Sequence, residues 1–386
     1  MDRIIKIGFL FPYSSIVPNM SQDIIDGFYA SIPELYRKYF QFYPEYIDKG
    51  NSELVKSAIN KLIMFHNVDI VSGIVSYKLI PDITSIIERQ KKLAFFFDLG
   101  EYLPSLTSFS GSIFFNSLQM WQMEYATGRW AQQQFNGKGA ILMSVYEAGY
   151  QMHSSFCQGV FSTGMDEIDL HILPHNPNVS NNVEELEIFL DRINKSKLSY
   201  LHAMFCGSEA NDFYKAFLKS GLQNKLPLIV SSYMATDELL NGLINTELNL
   251  YTASGWNYDS VEEKNVSFKK KYEFSAGKRA TEFAVLGFEM GELFAQMIPE
   301  LQKNELPQLI NTLKNTIIIG PRGARNFHHD LSLASTTIDI GKIIFKEGKA
   351  TKIIVDQGEA LKYNHQALAD IHLQSVSGWK NPYLCI

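Results

Sequence analysis

The chain has 386 residues, 46% hydrophobic and 20% charged, a balance that fits a folded globular protein and excludes a disordered or membrane-embedded one. A net charge of −6 argues against a nucleic-acid partner. The length exceeds what one ordinary core supports, so two domains are expected.

The N-terminal IIKIGFLFPYSS is a continuous β-rich run, Ile4 to Phe11, closed by Pro12 and polar residues. MDRIIKIGFLF passes from Met1 directly into that strand, with no signal peptide. Either the chain is complete and cytoplasmic, or Met1 is not the natural start and the protein is periplasmic or otherwise extracytoplasmic. A helix is expected over Asp23 to Tyr39, and a buried strand followed by a helix marks a parallel sheet.

Two longer stretches, Glu53 to Leu103 and Glu185 to Leu240, share one pattern: helix, buried strand, polar turn, helix, Lys-containing turn, buried strand, polar turn. We read this as one αβαβ unit used twice, each seeding its own doubly wound lobe. Between them a strand, Ala140 to Val145, opens the second lobe as Ile4 to Phe11 opens the first. Helices are expected over Thr281 to Met297 and Pro307 to Lys314. KIIFKEGKATKIIVDQGEAL then reads as a hairpin around Glu347-Gly348. The polar tail, Lys362 to Ile386, carries no clear pattern. No apolar run reaches about 18 residues, so no membrane span is expected.

In open parallel sheets ligands bind outside the carboxyl ends of the strands. The turns following the predicted strands contain Tyr13-Ser14, Ser76-Tyr77, Asp98-Leu99-Gly100, Tyr146-Glu147, Cys206-Gly207 and Ser231 to Tyr233. Two lobes facing each other would bring all six to one cleft. Asp98 ends the apolar run KLAFFF; it either caps a following helix with Glu101 at N3 or faces a ligand, and the two roles are compatible.

Chemistry-bearing motifs are sparse. GPRGAR, Gly320 to Arg325, lacks the Walker spacing of a phosphate loop. His328, His329 and Asp330, or His171 and His175 in an expected loop, lack the distant third ligand a metal needs. The cysteines Cys157, Cys206 and Cys385 have no metal spacing, and Lys269 to Lys271 reads as a solvated helix face. No nucleophile elbow or Cys–His signature occurs. Asp98, Glu101 and Glu147 could form a carboxylate pair of the kind a glycosidase needs, which leaves a carboxylate-dependent hydrolase as a remote alternative. The chain is read as not an enzyme, with no cofactor and no metal.

IKIGFLFPYSS, VDIVSGIVSYKLIPDI, SVYEAGYQMHSSF, FLKSGL with LPLIVSS, and IIIGPRGARNF together resemble the type I periplasmic solute-binding proteins, the branched-chain amino acid and amide/urea-binding group. The resemblance covers roughly Ile5 to Gly341. It implies an α/β fold of two Rossmann-like doubly wound lobes joined by three crossovers, placed near Ser117 to Trp121, Ala253 to Trp256 and Leu333 to Thr337. Lobe 1 would be 1–118 plus 255–334, and lobe 2 119–254 plus 335–386. It also implies an ABC importer component that closes on a small-molecule ligand, an amino acid, amide or related polar compound, and meets an ABC permease. The alternative on the same fold is a cytoplasmic ligand sensor. Carried over turn by turn, the ligand-binding residues are Tyr13, Ser14, Ser76, Tyr77, Asp98, Leu99, Gly100, Tyr146, Tyr150, Phe205 and Tyr233, with Trp121 and Trp256 walling the cleft. Tyr77 and Gly100 depart from the hydroxyl pattern of the amino-acid binders, which points to a polar or cationic ligand with an apolar portion.

Overall fold

The computed structural model describes residues 3–104, 110–174, 183–244, 246–328, 338–346, 348–362 and 364–374. A first sheet has the order β2-β1-β3-β4-β5, all parallel, from β1 (Ile5–Phe11), β2 (Phe40–Tyr46), β3 (Ile70–Ile74), β4 (Leu93–Asp98) and β5 (Ile113–Ser117). β3, β4 and β5 are buried at every residue, as strands covered on both faces must be. β2 alternates and carries Pro44, which a sheet edge tolerates because it has no second partner to receive an N–H.

β2 is absent from the sequence reading, and the helix expected over Asp23 to Tyr39 is shorter than expected. It runs Met20–Ser31. Pro33 forces Ile32 into an extended conformation (φ −72°, ψ 125°), and only the turn Glu34–Arg37 intervenes before β2.

The second sheet repeats the plan. Its order is β14-β13-β10-β9-β8-β6-β7, from β6 (Gly139–Ser144), β7 (Asp169–Leu173), β8 (Tyr200–Met204), β9 (Leu228–Val230) and β10 (Leu250–Ser254), with β13 and β14 at the far edge. Strands β7-β6-β8-β9-β10 stand in the positions of β2-β1-β3-β4-β5, and the two αβαβ units fall in equivalent places. β7 corrects a second expectation, since His171 lies in this edge strand rather than a loop, its ring 4.4 Å from Phe189. Each half also buries a close helix pair. Met20–Ser31 packs on Glu282–Gln296, and Met120–Phe135 on Met152–Phe161. A Cβ on Gly27 would strike the Ala284 carbonyl, and one on Gly159 the Tyr125 carbonyl, so only glycine permits either approach.

The chain leaves the first sheet at Ser117 and enters helix Met120–Phe135, which contacts β10 of the second. It returns after Ser254, and helices Glu263–Ala276 and Glu282–Gln296 pack on the first half. A two-stranded ribbon, β11 (Ile318–Gly320) and β12 (Gly323–Arg325), follows. β13 (Ile338–Lys346) and β14 (Lys349–Gly358) pair antiparallel as the expected hairpin. The crossover expected at Leu333 to Thr337 lies outside the described residues, as do His175, His329, Asp330, Glu347 and Cys385. Part of the tail is helical, His365–Gln374, and packs on helix Met152–Phe161. Among the described residues no helix is long and apolar enough to cross a membrane, and no cluster of His, Cys, Asp or Glu has metal-site geometry.

Candidate functional site

Asp98 is the last residue of β4 and stands opposite Ser117, the last of β5. Its carboxylate accepts from the Ser117 hydroxyl at 3.1 Å and from the Tyr77 backbone N–H at 3.3 Å. No helix follows it, so the expected cap with Glu101 at N3 is overturned. Gly100 turns the chain at φ +85°, and a Cβ there would meet Gln119 and Met120. The chain therefore bends across the start of helix Met120–Phe135 instead of coiling, and the Gly100 carbonyl accepts from Trp121 N–H at 2.8 Å.

That bend carries residues 101–103 to the turn following β6. Glu101 accepts at its backbone carbonyl from Gln151 N–H at 2.9 Å. Leu103 N–H donates to Gln151 Oε1 at 2.7 Å, and the Tyr102 hydroxyl donates to the Gly149 carbonyl at 3.2 Å. The rings of Tyr102 and Tyr150 meet edge to face at 5.5 Å. The two halves of the molecule thus touch turn to turn. A second bridge, the Arg279–Asp237 ion pair, joins the segment before helix Glu282–Gln296 to the start of the short helix Asp237–Asn241 in the other half.

Three carboxylates gather around this contact. Asp98 and Glu101 come from one side and Glu147 from the other, all about 1–2% exposed. Glu147 Oε2 accepts from the Tyr233 hydroxyl at 2.5 Å. Among the described residues no other residue donates to either oxygen of Glu101, and only its own backbone N–H lies beside them. Burial pushes the Asp98 carboxyl up to about 7, against the pull of the Ser117 hydroxyl and of the Tyr77, Gly100 and Leu99 backbone groups. Burial, then the charges of Asp98 and Glu147, drives Glu101 well above the usual carboxylate range. Burial, then Glu147, raises the Tyr233 phenol. Lys78 places its ammonium over the Tyr102 ring, 5.1 Å from the centroid, and burial lowers it.

The other expected residues divide. Ser76 is fully buried; its hydroxyl accepts from Lys78 N–H at 3.4 Å and caps the short turn Tyr77–Leu79. The buried Tyr77 ring lies 4.6 Å from Phe115. Leu99 is buried in the core beneath Asp98, and Tyr146 is half-buried against the same cluster. Ser14 spends its hydroxyl on the N–H groups of Ile16 and Val17. Tyr13 is 59% exposed, and Phe205 stacks on Phe213 at 5.0 Å in the second core. Among the described residues, no hydrogen bond or ring contact joins Tyr13 or Phe205 to the carboxylate group. Trp256 donates its indole N–H to Asn265 at 2.7 Å, packed with Tyr258 and Phe268. Trp121 lies in a cluster with Leu103, Tyr125, Leu361, Leu368 and Ile371.

Sequence reasoning missed Tyr102, Gln151 and Ser117. Ser117 was legible as the polar end of SIFFNS, an apolar run like KLAFFF. Gln151 carried no signal, because its value lies in reaching the opposite half.

Residues 4–349 match the sequence model of a family described as periplasmic binding protein. No curated protein is similar to the chain by sequence. Among solved structures the fold is similar to an ABC transporter substrate-binding protein from Sphaerobacter thermophilus: TM-score 0.78, 17% identity, 92% of this chain and 98% of that one covered. It is also similar to a solute-binding protein of an ABC transporter from Rhodopseudomonas palustris BisB5 in complex with 3,4-dihydroxybenzoic acid: TM-score 0.73, 20% identity, 93% and 98% covered. A third is a branched-chain amino acid transporter substrate-binding protein of Streptococcus pneumoniae in complex with isoleucine: TM-score 0.66, 15% identity, 92% and 99% covered.

Proposed function

The chain belongs to the periplasmic binding protein family, and from that premise we propose that it is the extracytoplasmic solute-binding component of an ABC importer. Its two lobes close on a small polar ligand and release it chemically unchanged to a permease. The division into lobes near 118/119, 254/255 and 334/335 belongs to this reading.

The observation that carries it is the turn-to-turn contact of residues 101–103 with 149–151, which encloses polar groups from both halves of the molecule. A cleft built this way binds by burying a solute between two walls. We place the ligand against Asp98, Glu101, Tyr102, Glu147, Tyr150 and Tyr233. Tyr13, Ser14 and Phe205 fall outside this set, being exposed, self-capped and core-packed respectively.

The 3,4-dihydroxybenzoic acid of the Rhodopseudomonas protein fits poorly here. An aromatic carboxylate would meet three buried carboxyl groups, repelled by any that is ionised and bonded only by one that keeps its proton. Isoleucine would bring an ammonium that suits the cluster, but also a carboxylate that needs its own donors.

Thermal-shift screening of amino acids, amides, amines and short peptides tests the binding reading, followed by mass spectrometry of each hit after long incubation. Recovery of the intact compound is the expected result. Accumulation of a product would show that the carboxylates perform hydrolysis.

A further inference from the structure

We infer that the ligand is an organic cation, a primary ammonium or an amidinium on an apolar body, with its charge seated on Glu101. This deepens the solute-binding reading above and rests on it.

Glu101 is 2% exposed, and among the described residues no other residue donates to either of its carboxylate oxygens, which have only its own backbone N–H beside them. A buried acceptor in that state is costly unless something supplies donors. Nothing charged among the described residues does so. Among the described residues neither Asp98 nor Glu101 enters an ion pair, and the buried guanidinium of Arg322 is committed to Glu289, Asn116 and the Ser117 carbonyl. Lys78 lies over the Tyr102 ring.

The surroundings favour a cation over a neutral donor. Tyr102 and Tyr150 present an edge-to-face aromatic pair beside that carboxylate, and cations bind such faces. Lys78 already uses one face of Tyr102 in this way. Ser144, at the carboxyl end of β6, is a buried hydroxyl with no partner among the described residues. An ammonium has three N–H donors and an amidinium four, enough to engage Glu101, Asp98 and one hydroxyl together. The apolar body would lie against the tyrosines.

The charges that act on Glu101 are Asp98 on its own segment and Glu147 from the turn following β6, which the Tyr233 hydroxyl engages, while Lys78 lies over the adjacent Tyr102 ring. Raised carboxyls among them mean that a bound cation displaces protons, so binding strengthens as pH rises.

The test measures phenethylamine, benzamidine, agmatine and putrescine by thermal shift and calorimetry at pH 8, with benzoate and leucine at matched concentration. At least one of the four cations should stabilise the protein, and benzoate and leucine should not. Glu101→Gln should fold, with a ligand-free midpoint at or above that of the parent, and lose roughly tenfold or more in affinity for the same cation. Asp98→Asn, which keeps the shape of the turn, should weaken it less. Silence from all four cations, or undiminished binding by Glu101→Gln, would overturn the inference. A shift confined to benzoate or leucine would overturn it too while leaving the solute-binding reading intact. Failure of every compound in the broader screen would remove that reading as well.

Discussion

Arg322 meets Glu289 in a two-pronged ion pair, Nε to Oε1 at 3.0 Å and Nη2 to Oε2 at 2.6 Å, with both side chains at 2% exposure or less. The same guanidinium reaches Asn116 Oδ1 and the Ser117 carbonyl. It thereby ties the ribbon β11–β12 to the point where the chain leaves the first sheet, at Ser117, the residue whose hydroxyl holds Asp98.

Removing one partner leaves the other charge buried alone. Arg322→Met should destabilise the protein by about 3–5 kcal/mol, read from urea unfolding. Replacing both, Arg322→Met with Glu289→Met, should recover most of that loss. A single mutant within about 1 kcal/mol of the parent would show that the pair does not bear on stability.

Two buried carboxyls should respond to acid in opposite senses. Burial pushes Glu289 up, but Arg322 more than offsets this and holds it below the ordinary range. Its contribution is present above the unfolded pKa and is lost as pH falls through the folded one. Asp98 is raised from 3.8 to about 7, so the ligand-free protein gains stability from this group as pH falls through that window. Each tenfold difference in proton affinity between the folded and unfolded chain is worth about 1.4 kcal/mol. Asp98→Asn should flatten the pH dependence between those values and stabilise the ligand-free form at pH 8. Denaturant midpoints from pH 4 to 8 measure this, and an unchanged slope would contradict it.

Gln151 fastens the two touching turns to each other. It accepts from Leu103 N–H, donates its backbone N–H to the Glu101 carbonyl, and joins its amide nitrogen to His372 Nδ1 at 2.7 Å. Gln151→Ala should leave Leu103 N–H unsatisfied, at about 1–3 kcal/mol, and shift the population toward separated lobes. Faster amide exchange at Leu103, with a larger radius of gyration by solution scattering, is the expected signature.

The tail helix should matter out of proportion to its length. Ile371 and Leu368 pack with Trp121, Tyr125 and Leu103. Ile371→Ala should cost about 2–5 kcal/mol and shift the emission of Trp121, measured in a variant retaining only that tryptophan, to longer wavelength. No change in emission would mean that the helix does not cover the indole.

The two-lobed α/β plan was legible because buried parallel strands such as VDIVSGIV and KLAFFF announce themselves by unbroken apolarity. Edge strands did not: β2 and β7 alternate and carry Pro44 or charged residues, so they read as loop. The expectation of a cap at Asp98 failed because it weighed Glu101 by spacing alone, while Gly100 at positive φ redirected the chain. Arg322 sat in a stretch read only for its glycines. Residues whose roles depend on the opposite half, Gln151 and Tyr102, leave no local pattern, whereas Asp98 was visible because a charge ends an apolar run.

Among the described residues the contact between 101–103 and 149–151 has three hydrogen bonds and the Tyr102–Tyr150 ring pair, clustered in two short turns, each bond between groups shielded from water while the halves touch. Separating the halves must break them nearly together, before water can replace any one partner. On the solute-binding reading, these bonds would act as a latch across the cleft whose strength does not depend on what it holds. Where that latch is the slow step, the lifetime of the filled state is a property of the protein, and solutes of quite different affinity would depart at similar rates while differing in how fast they are captured.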